Sequence, residues 1–392
     1  MKFNKFNPVH YLIYFYGLFV FYIAVIIGQF TKEVNQNLII LYGHKFYGNL
    51  KALYEAIEND YKVYYLTLDR SNYKKLKLQG VNVLFGLNIT DVLNVVKSKV
   101  LVTDHGLHYF KYLLNKRGKY FVDVNHGLPF QKWNEKIVKQ WYLFDEVWLM
   151  SEKHKEIYTT TFGYKKEENL FVTGYGRLDY LKKFIENDQK DMVKKLIIDK
   201  YKLSRDKKVV LYAPTWIHDK TKVKEEFMAP NNLEFIKHLD TIGKKLNIQI
   251  IFRPHLNLNL KNKEIKELKT FNNLIFMPQS EFDSVEDFLI ISDILITDYS
   301  SISLDFIILK RPVLFLNTKS SFKLGEFDDA TMRFGKKVNN DEIEIYLKKY
   351  LNDPKSYKND CPQHKITLDL IHENLKLFAS DKYSERIKSL FN

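Results

Sequence analysis

The sequence predicts an α/β protein made of two units, each a mainly parallel sheet flanked by helices, behind an N-terminal hydrophobic helix. Three observations carry this expectation. After Val34 short apolar runs alternate with amphipathic stretches, the pattern of strands joined by crossover helices. The alternation comes in two series, separated by a charged stretch without a strand. The length of 392 residues exceeds one ordinary domain of roughly 100 to 200 residues.

Taken in order, the elements give five segments. Residues 1–34 hold a membrane-anchoring hydrophobic stretch. From Phe6 to Thr31 there is no Lys, Arg, Asp or Glu, and Tyr11 to Ile27 is apolar or aromatic apart from Gly17. That approaches the ~20 residues a membrane span needs. Tyr11, Tyr14, Tyr16 and Tyr22 equally suit an interfacial helix lying in one leaflet, and a buried core helix is the third reading. No small-x-small cleavage site follows Ile27, which argues against a secretory signal. Lys2 and Lys5 before the stretch and Lys32 after it give no clear orientation.

Residues 35–180 form the first α/β domain, with strands at Leu38–Tyr42, Val63–Leu68, Val100–Thr103 and Tyr120–Val124 and a helix at Leu50–Asn59. Residues 181–207, lysine-rich and helical in period, connect the halves. Residues 208–360 form the second domain, with strands at Val209–Ala213, Ile248–Arg253, Asn273–Met277, Ile294–Thr297 and Val313–Leu316 and a helix at Leu233–Leu246. Residues 361–392 complete the chain as a C-terminal helix, read from Leu368 to Phe391, and no internal repeat is evident. Ligands of open parallel sheets sit beyond the carboxyl ends of the strands, so a cleft between the halves is expected.

Composition limits the chemistry. The lone cysteine, Cys361, excludes a disulfide framework and a cysteine zinc site, and fits a reducing compartment. Lys plus Arg is 61 against 47 Asp plus Glu, a formal charge of +14, which favours an anionic partner such as a phosphorylated substrate, acidic lipid or nucleic acid. Basic pairs such as Lys74-Lys75 and Lys194-Lys195 lack an aromatic platform or a reading motif, so they read as solvated helix faces rather than a nucleic-acid site. The glycine fingerprints of dinucleotide and P-loop sites are missing, as is any Asp-x-Asp. His105-x-x-His108 has no third ligand at a useful spacing and reads as structural; no metal site is expected.

Three motifs carry candidate chemistry. Asp293-Ile-Leu-Ile-Thr297-Asp298-Tyr299-Ser300-Ser301 is a buried strand followed by a polar turn and a helix start. Backbone N–H groups, hydroxyls and the positive end of the dipole make an anion site there. A plain serine N-cap explains one serine but not the dense Thr-Asp-x-Ser-Ser run. Arg253-Pro254-His255 ends a second strand with a guanidinium and an imidazole, suited to a pyrophosphate. Asn125-His126-Gly127-Leu-Pro129 ends a first-domain strand with a turn that presents His126, a residue able to take a proton from an attacking hydroxyl. Tyr212-Ala-Pro214-Thr215-Trp216 and Gly174-Tyr-Gly176-Arg177-Leu-Asp179 also follow strands, and read equally as turns or as contacts to base, ribose or phosphate.

In order, His126-Gly127-x-Pro129, Gly174-x-x-Arg177-x-Asp179, Tyr212-Ala-Pro214-Thr215-Trp216, Arg253-Pro254-His255 and Thr297-Asp298-Tyr299-Ser300-Ser301 with Asp305-Phe306 resemble the CDP-glycerol glycerophosphotransferase family of teichoic acid synthesis. The likeness runs from about Leu38 to Phe315. It implies a GT-B-like fold with two Rossmann-like domains facing a cleft, monotopic attachment to the cytoplasmic face of the cell membrane, and no cofactor. It also implies transfer of glycerol phosphate from CDP-glycerol to an undecaprenyl-diphosphate-linked saccharide, with release of CMP. On this reading His126 and His255 are catalytic, while Arg253, Ser300, Ser301, Asp298, Thr297, Pro214, Thr215, Trp216, Arg177, Asp179 and Lys132 bind substrate. An anionic membrane surface is a further partner, nucleic acid is not, and an oligomer is left open. Gln131 stands where the family usually has a basic residue, although Lys132 follows, and Gly176 where it usually has proline, so the acceptor end departs from the family pattern. The competing readings are a GT-B sugar transferase or a CDP-ribitol-dependent polyol-phosphate transferase making capsule or surface polysaccharide, and a basic membrane or nucleic-acid binding protein.

Overall fold

Continuous apolar runs such as Leu38-Ile-Ile-Leu41 suit strands covered on both faces, because successive side chains point to opposite sides of a sheet. In the computed structural model Leu38 and Ile40 join one buried cluster and Ile39 and Leu41 another, on the two faces of the same sheet. The structure describes residues 8–30, 35–43, 45–107, 113, 118–128, 135–215, 233–255, 260, 262–279, 281–282, 284–318, 329–373 and 375–391.

The chain divides into two units, the first comprising Met1–Gly127, Trp133–Asp179 and Leu377–Asn392, the second Leu128–Lys132 and Tyr180–Lys376. The strands of the first are β1 (Asn35–Tyr42), β2 (Lys62–Thr67), β3 (Val83–Phe85), β4 (Ser98–Thr103), β5 (Tyr120–Asp123), β6 (Glu146–Leu149) and β7 (Leu170–Val172). They pair in parallel in the order β3-β2-β1-β4-β5-β6-β7. The second unit contains β8 (Val209–Tyr212), β9 (Gln249–Phe252), β10 (Leu274–Phe276), β11 (Ile294–Thr297), β12 (Val313–Leu316) and β13 (Lys336–Val338). These are also parallel, in the order β10-β9-β8-β11-β12-β13. The two-sheet α/β prediction therefore holds.

A kinship between the sheets escaped the sequence reading. In each, the first strand lies between the second and the fourth, and the fourth ends alike: Val-Leu-Val-Thr103 of β4 runs into Asp104-His105, and Ile-Leu-Ile-Thr297 of β11 into Asp298-Tyr299. Two copies of a short motif at different spacing do not register as a sequence repeat; shared strand order reveals them.

The segment expected as one C-terminal helix from 361 to 392 is split. Helix Gln363–Ile371 belongs to the second unit and helix Ala379–Phe391 to the first. The split has a cause remote in sequence. The Asp179 carboxylate accepts the N–H groups of Ala379 and Ser380 at 2.9 and 2.8 Å, capping the last helix, while Tyr383 stacks on Trp148 and Arg386 pairs with Glu146. The stretch expected only to connect is likewise built into the second unit, through Asp287. Its buried carboxylate accepts from Tyr180, Lys200 and Tyr201 at 3.2, 2.7 and 2.7 Å.

The N-terminal helix runs from Pro8 to Phe30. Its buried residues Gly17, Val20, Phe21 and Ala24 recur at i, i+3, i+4 and i+7, one stripe of a helix, and pack with Val92, Val95 and Val96 of helix Ile89–Lys97. The helix is thus docked along one face and is not a buried core helix: Leu12, Phe15, Phe19 and Ile26 are each more than half exposed. Gly28 sets the approach, since a Cβ there would lie 2.5 Å from Val96 Cγ1. Gly28→Val should cost about 1–3 kcal/mol through overpacking. Thermal unfolding of the full chain in detergent should show a lower midpoint for this variant; an unchanged midpoint would mean that the helix is not seated on the first unit.

Candidate active site

In the first unit the site grows from the neighbouring ends of β4 and β5, whose parallel register sets Thr103 opposite Asp123. Beyond β5 the backbone turns at Asn125, which has φ +55, a left-handed conformation that asparagine tolerates better than most residues. The turn is over-determined. The Asn125 side chain accepts from His126 N at 3.0 Å and donates to the Tyr158 hydroxyl at 2.5 Å, and its backbone N–H donates to Asp123 at 2.8 Å. Asn49 donates to the carbonyl of Asn125 at 3.0 Å and accepts from Arg177 N at 3.3 Å.

This framework presents His126. Its Nδ1 lies 2.7 Å from the backbone carbonyl of Asp104, and a carbonyl can only accept, so Nδ1 carries the proton and Nε2 the lone pair. The residue keeps an exposed surface, yet the protein crowded around the ring, and after it the nearby His105, push its pKa down to about 4. The imidazole is therefore neutral near pH 7. Asp123 moves the other way: burial raises it to about 7, against the N–H bond from Asn125.

The other first-unit residues divide between these tasks. Arg177 donates from Nη1 to the His126 carbonyl at 2.6 Å and lies over the Tyr175 ring at 4.7 Å, so it braces the His126 turn. Asp179 spends its carboxylate on the helix cap described above. Lys132 lies outside the described residues.

In the second unit the ends of β8 and β11 are tied together. Thr215 donates to Asp298 from its backbone at 2.8 Å and from its hydroxyl at 2.7 Å, and the Thr297 hydroxyl donates to the Ala213 carbonyl at 2.7 Å. Asp298 is buried, which raises its pKa against the stabilising bonds from Thr215 and from backbone N–H groups. Thr297, Asp298 and Thr215 thus shape the loops, with the buried Pro214 between strand and turn. Trp216 lies outside the described residues.

Ser300 and Ser301 follow on this braced turn, both half-buried, and Ser301 is the N-cap of helix Ile302–Phe306 without using its side chain to cap it. The plain N-cap explanation of that serine therefore fails. Arg253 is buried; its Nη1 donates to the carbonyls of Met277 and Phe282, and the guanidinium lies 5.2 Å from the centre of the Phe288 ring. The sequence suggested a guanidinium aimed at pyrophosphate; the structure makes it also a brace for the loop after β10. His255, two residues on, is exposed.

The sequence reading missed Asp104 and His105. His105-x-x-His108 reads as structural in the sequence; His108 is outside the described residues, and His105 stacks on His126. Strand order supplies the missing signal, since residues following adjacent parallel strands become neighbours.

Residues 24–342 match the family described as CDP-Glycerol:Poly(glycerophosphate) glycerophosphotransferase. The chain is 27% identical over 317 residues to the teichoic acid poly(glycerol phosphate) polymerase of Bacillus spizizenii, covering 74% of this chain and 75% of that protein. It is 30% identical over 189 residues to the polymerase of the same name from Bacillus subtilis, covering 48% of this chain and 24% of that one, so it spans only about a quarter of this longer relative. The solved structure of the wall teichoic acid polymerase TagF aligns with a TM-score of 0.70 at 18% identity, over 98% of this chain and 99% of the other, and so shares the GT-B-like fold. By its ordered motifs and the match across most of its length, the chain belongs to the CDP-glycerol glycerophosphotransferase family.

Proposed function

We propose that the protein moves glycerol phosphate from CDP-glycerol to a lipid-linked saccharide, of the undecaprenyl-diphosphate kind, in the synthesis of teichoic acid or a related surface polymer. The observation that carries the chemistry is the 2.7 Å contact of His126 Nδ1 with the Asp104 carbonyl, which in the neutral ring leaves the lone pair on Nε2. An acceptor hydroxyl attacks the β-phosphorus; its proton passes to His126 Nε2, a new P–O bond forms, and the bond to CMP breaks. Phosphoryl transfer depends mainly on positioning and charge stabilisation. Ser300, Ser301, the Arg253 charge and His255 supply these on the donor side, His255 stabilising or protonating the leaving phosphate. Thr297, Asp298, Thr215 and Pro214 act by holding that loop, Arg177 by holding the His126 turn, and Asp179 by capping helix Ala379–Phe391. Trp216 and Lys132 contact substrate, as their motifs imply.

The same proposal attaches the chain to the cytoplasmic face of the membrane through the N-terminal helix, as a monotopic anchor in one leaflet. A helix docked along its length offers its other side to lipid, and Leu12, Phe15, Phe19 and Ile26 provide an apolar face there. A nucleotide donor and a single reduced cysteine suit the cytoplasmic side.

Two measurements test these statements. CMP release and acceptor mass, followed with purified protein, CDP-glycerol and a short-chain diphosphate-linked disaccharide, should show one or more added glycerol phosphates. His126→Ala and His255→Ala should each reduce turnover by roughly two or more orders of magnitude. Product from CDP-ribitol or a UDP-sugar, with none from CDP-glycerol, would replace the substrate; near-normal turnover in a folded variant would remove that residue from the mechanism. For the anchor, Phe15→Glu combined with Phe19→Glu should weaken co-sedimentation with liposomes at least tenfold, because each buried aromatic contributes about 1.5–3 kcal/mol. Unchanged sedimentation would exclude this face.

A further inference from the structure

At the carboxyl end of β4 lies a titratable pair that the proposed chemistry does not use. The Asp104 carboxylate lies 2.5 Å from His105 Nδ1, and the His105 ring stacks on His126 with centroids 4.2 Å apart and planes within 10°. Asp104 therefore acts twice, holding His105 through its side chain and His126 through its backbone carbonyl. Room for this is built in. A Cβ on Gly43, just after β1, would lie 2.5 Å from Asp104 Oδ1, so only glycine lets the end of β1 come this close. In the second unit the same strand end carries Asp298 and Tyr299, and there the carboxylate braces the loop after β8. In the first unit that position holds a histidine in place.

We infer that Asp104 and His105 form a positioning pair, in which a fixed imidazolium stacked on His126 keeps the His126 ring oriented and neutral for proton acceptance. The inference rests on the reading of His126 as the base. Among the described residues, the charged or titratable groups that act on this ring or on its stacked partner include Asp104, His105, Asp123 and Arg177. Burial opposes the charge on His105, but Asp104, by charge and by hydrogen bond, and then Asp123 outweigh it and raise its pKa. For His126, burial, His105 and Arg177 all disfavour a second proton, while Asp104 favours one. Loss of the His105 charge should therefore make His126 easier to protonate.

The test uses the full chain with 13C-labelled histidine, His105→Phe to keep a flat ring without charge, and His105→Gln to remove both. His126→Gln assigns the His126 signal. In both His105 variants the NMR titration midpoint of His126 should rise by about one pH unit, the size expected for one nearby charge. The acid limb of kcat/KM should rise with it, a tenfold loss at a fixed pH below the midpoint. A midpoint that stays in place in whichever of the two variants folds overturns the pair. A midpoint that rises while the acid limb stays put supports the pair and rejects His126 as the base.

Discussion

The bond from His126 Nδ1 to the Asp104 carbonyl is the constraint on which the first-unit site depends. It exists because β4 and β5 are parallel neighbours in register, so that two turns leaving the sheet side by side can share one hydrogen bond. Its chemical effect is larger than its length suggests. By placing the proton on one nitrogen it assigns the lone pair to the other, and crowding around the ring keeps the second proton off.

The second unit solves a related problem with the same strand end and different partners. There Asp298 and Thr297 tie the loops after β8 and β11 together, leaving Ser300 and Ser301 on a braced turn. Carboxylates that the sequence offers as ligand contacts also serve as supports: Asp179 caps a helix some 200 residues away, and Asp298 clamps a threonine. A short polar motif after a strand says that a site is near; which of its residues face the ligand depends on partners remote in sequence.

The fold was legible because buried parallel strands leave long apolar runs and crossover helices leave amphipathic ones. The central strands of both sheets, the hydrophobic helix and the His126, Arg253 and Ser300 motifs could be placed from local pattern alone, whereas the short strands β3, β6, β7 and β13 could not. The split of the C-terminal segment could not, since it depends on Asp179, Trp148 and Glu146 reaching helix Ala379–Phe391 across the chain. Nor could the role of His105, whose only local signal was a histidine three residues away. The docked stripe of the N-terminal helix was hidden for a different reason: a segment apolar on all sides does not reveal which face meets protein.

The most direct measurement is the tautomer of His126 in the full-length protein at pH 7, read from 15N chemical shifts of labelled histidine. A neutral ring protonated on Nδ1 with Nε2 unprotonated is the expected result. A ring protonated on Nε2, or one carrying both protons, would contradict it.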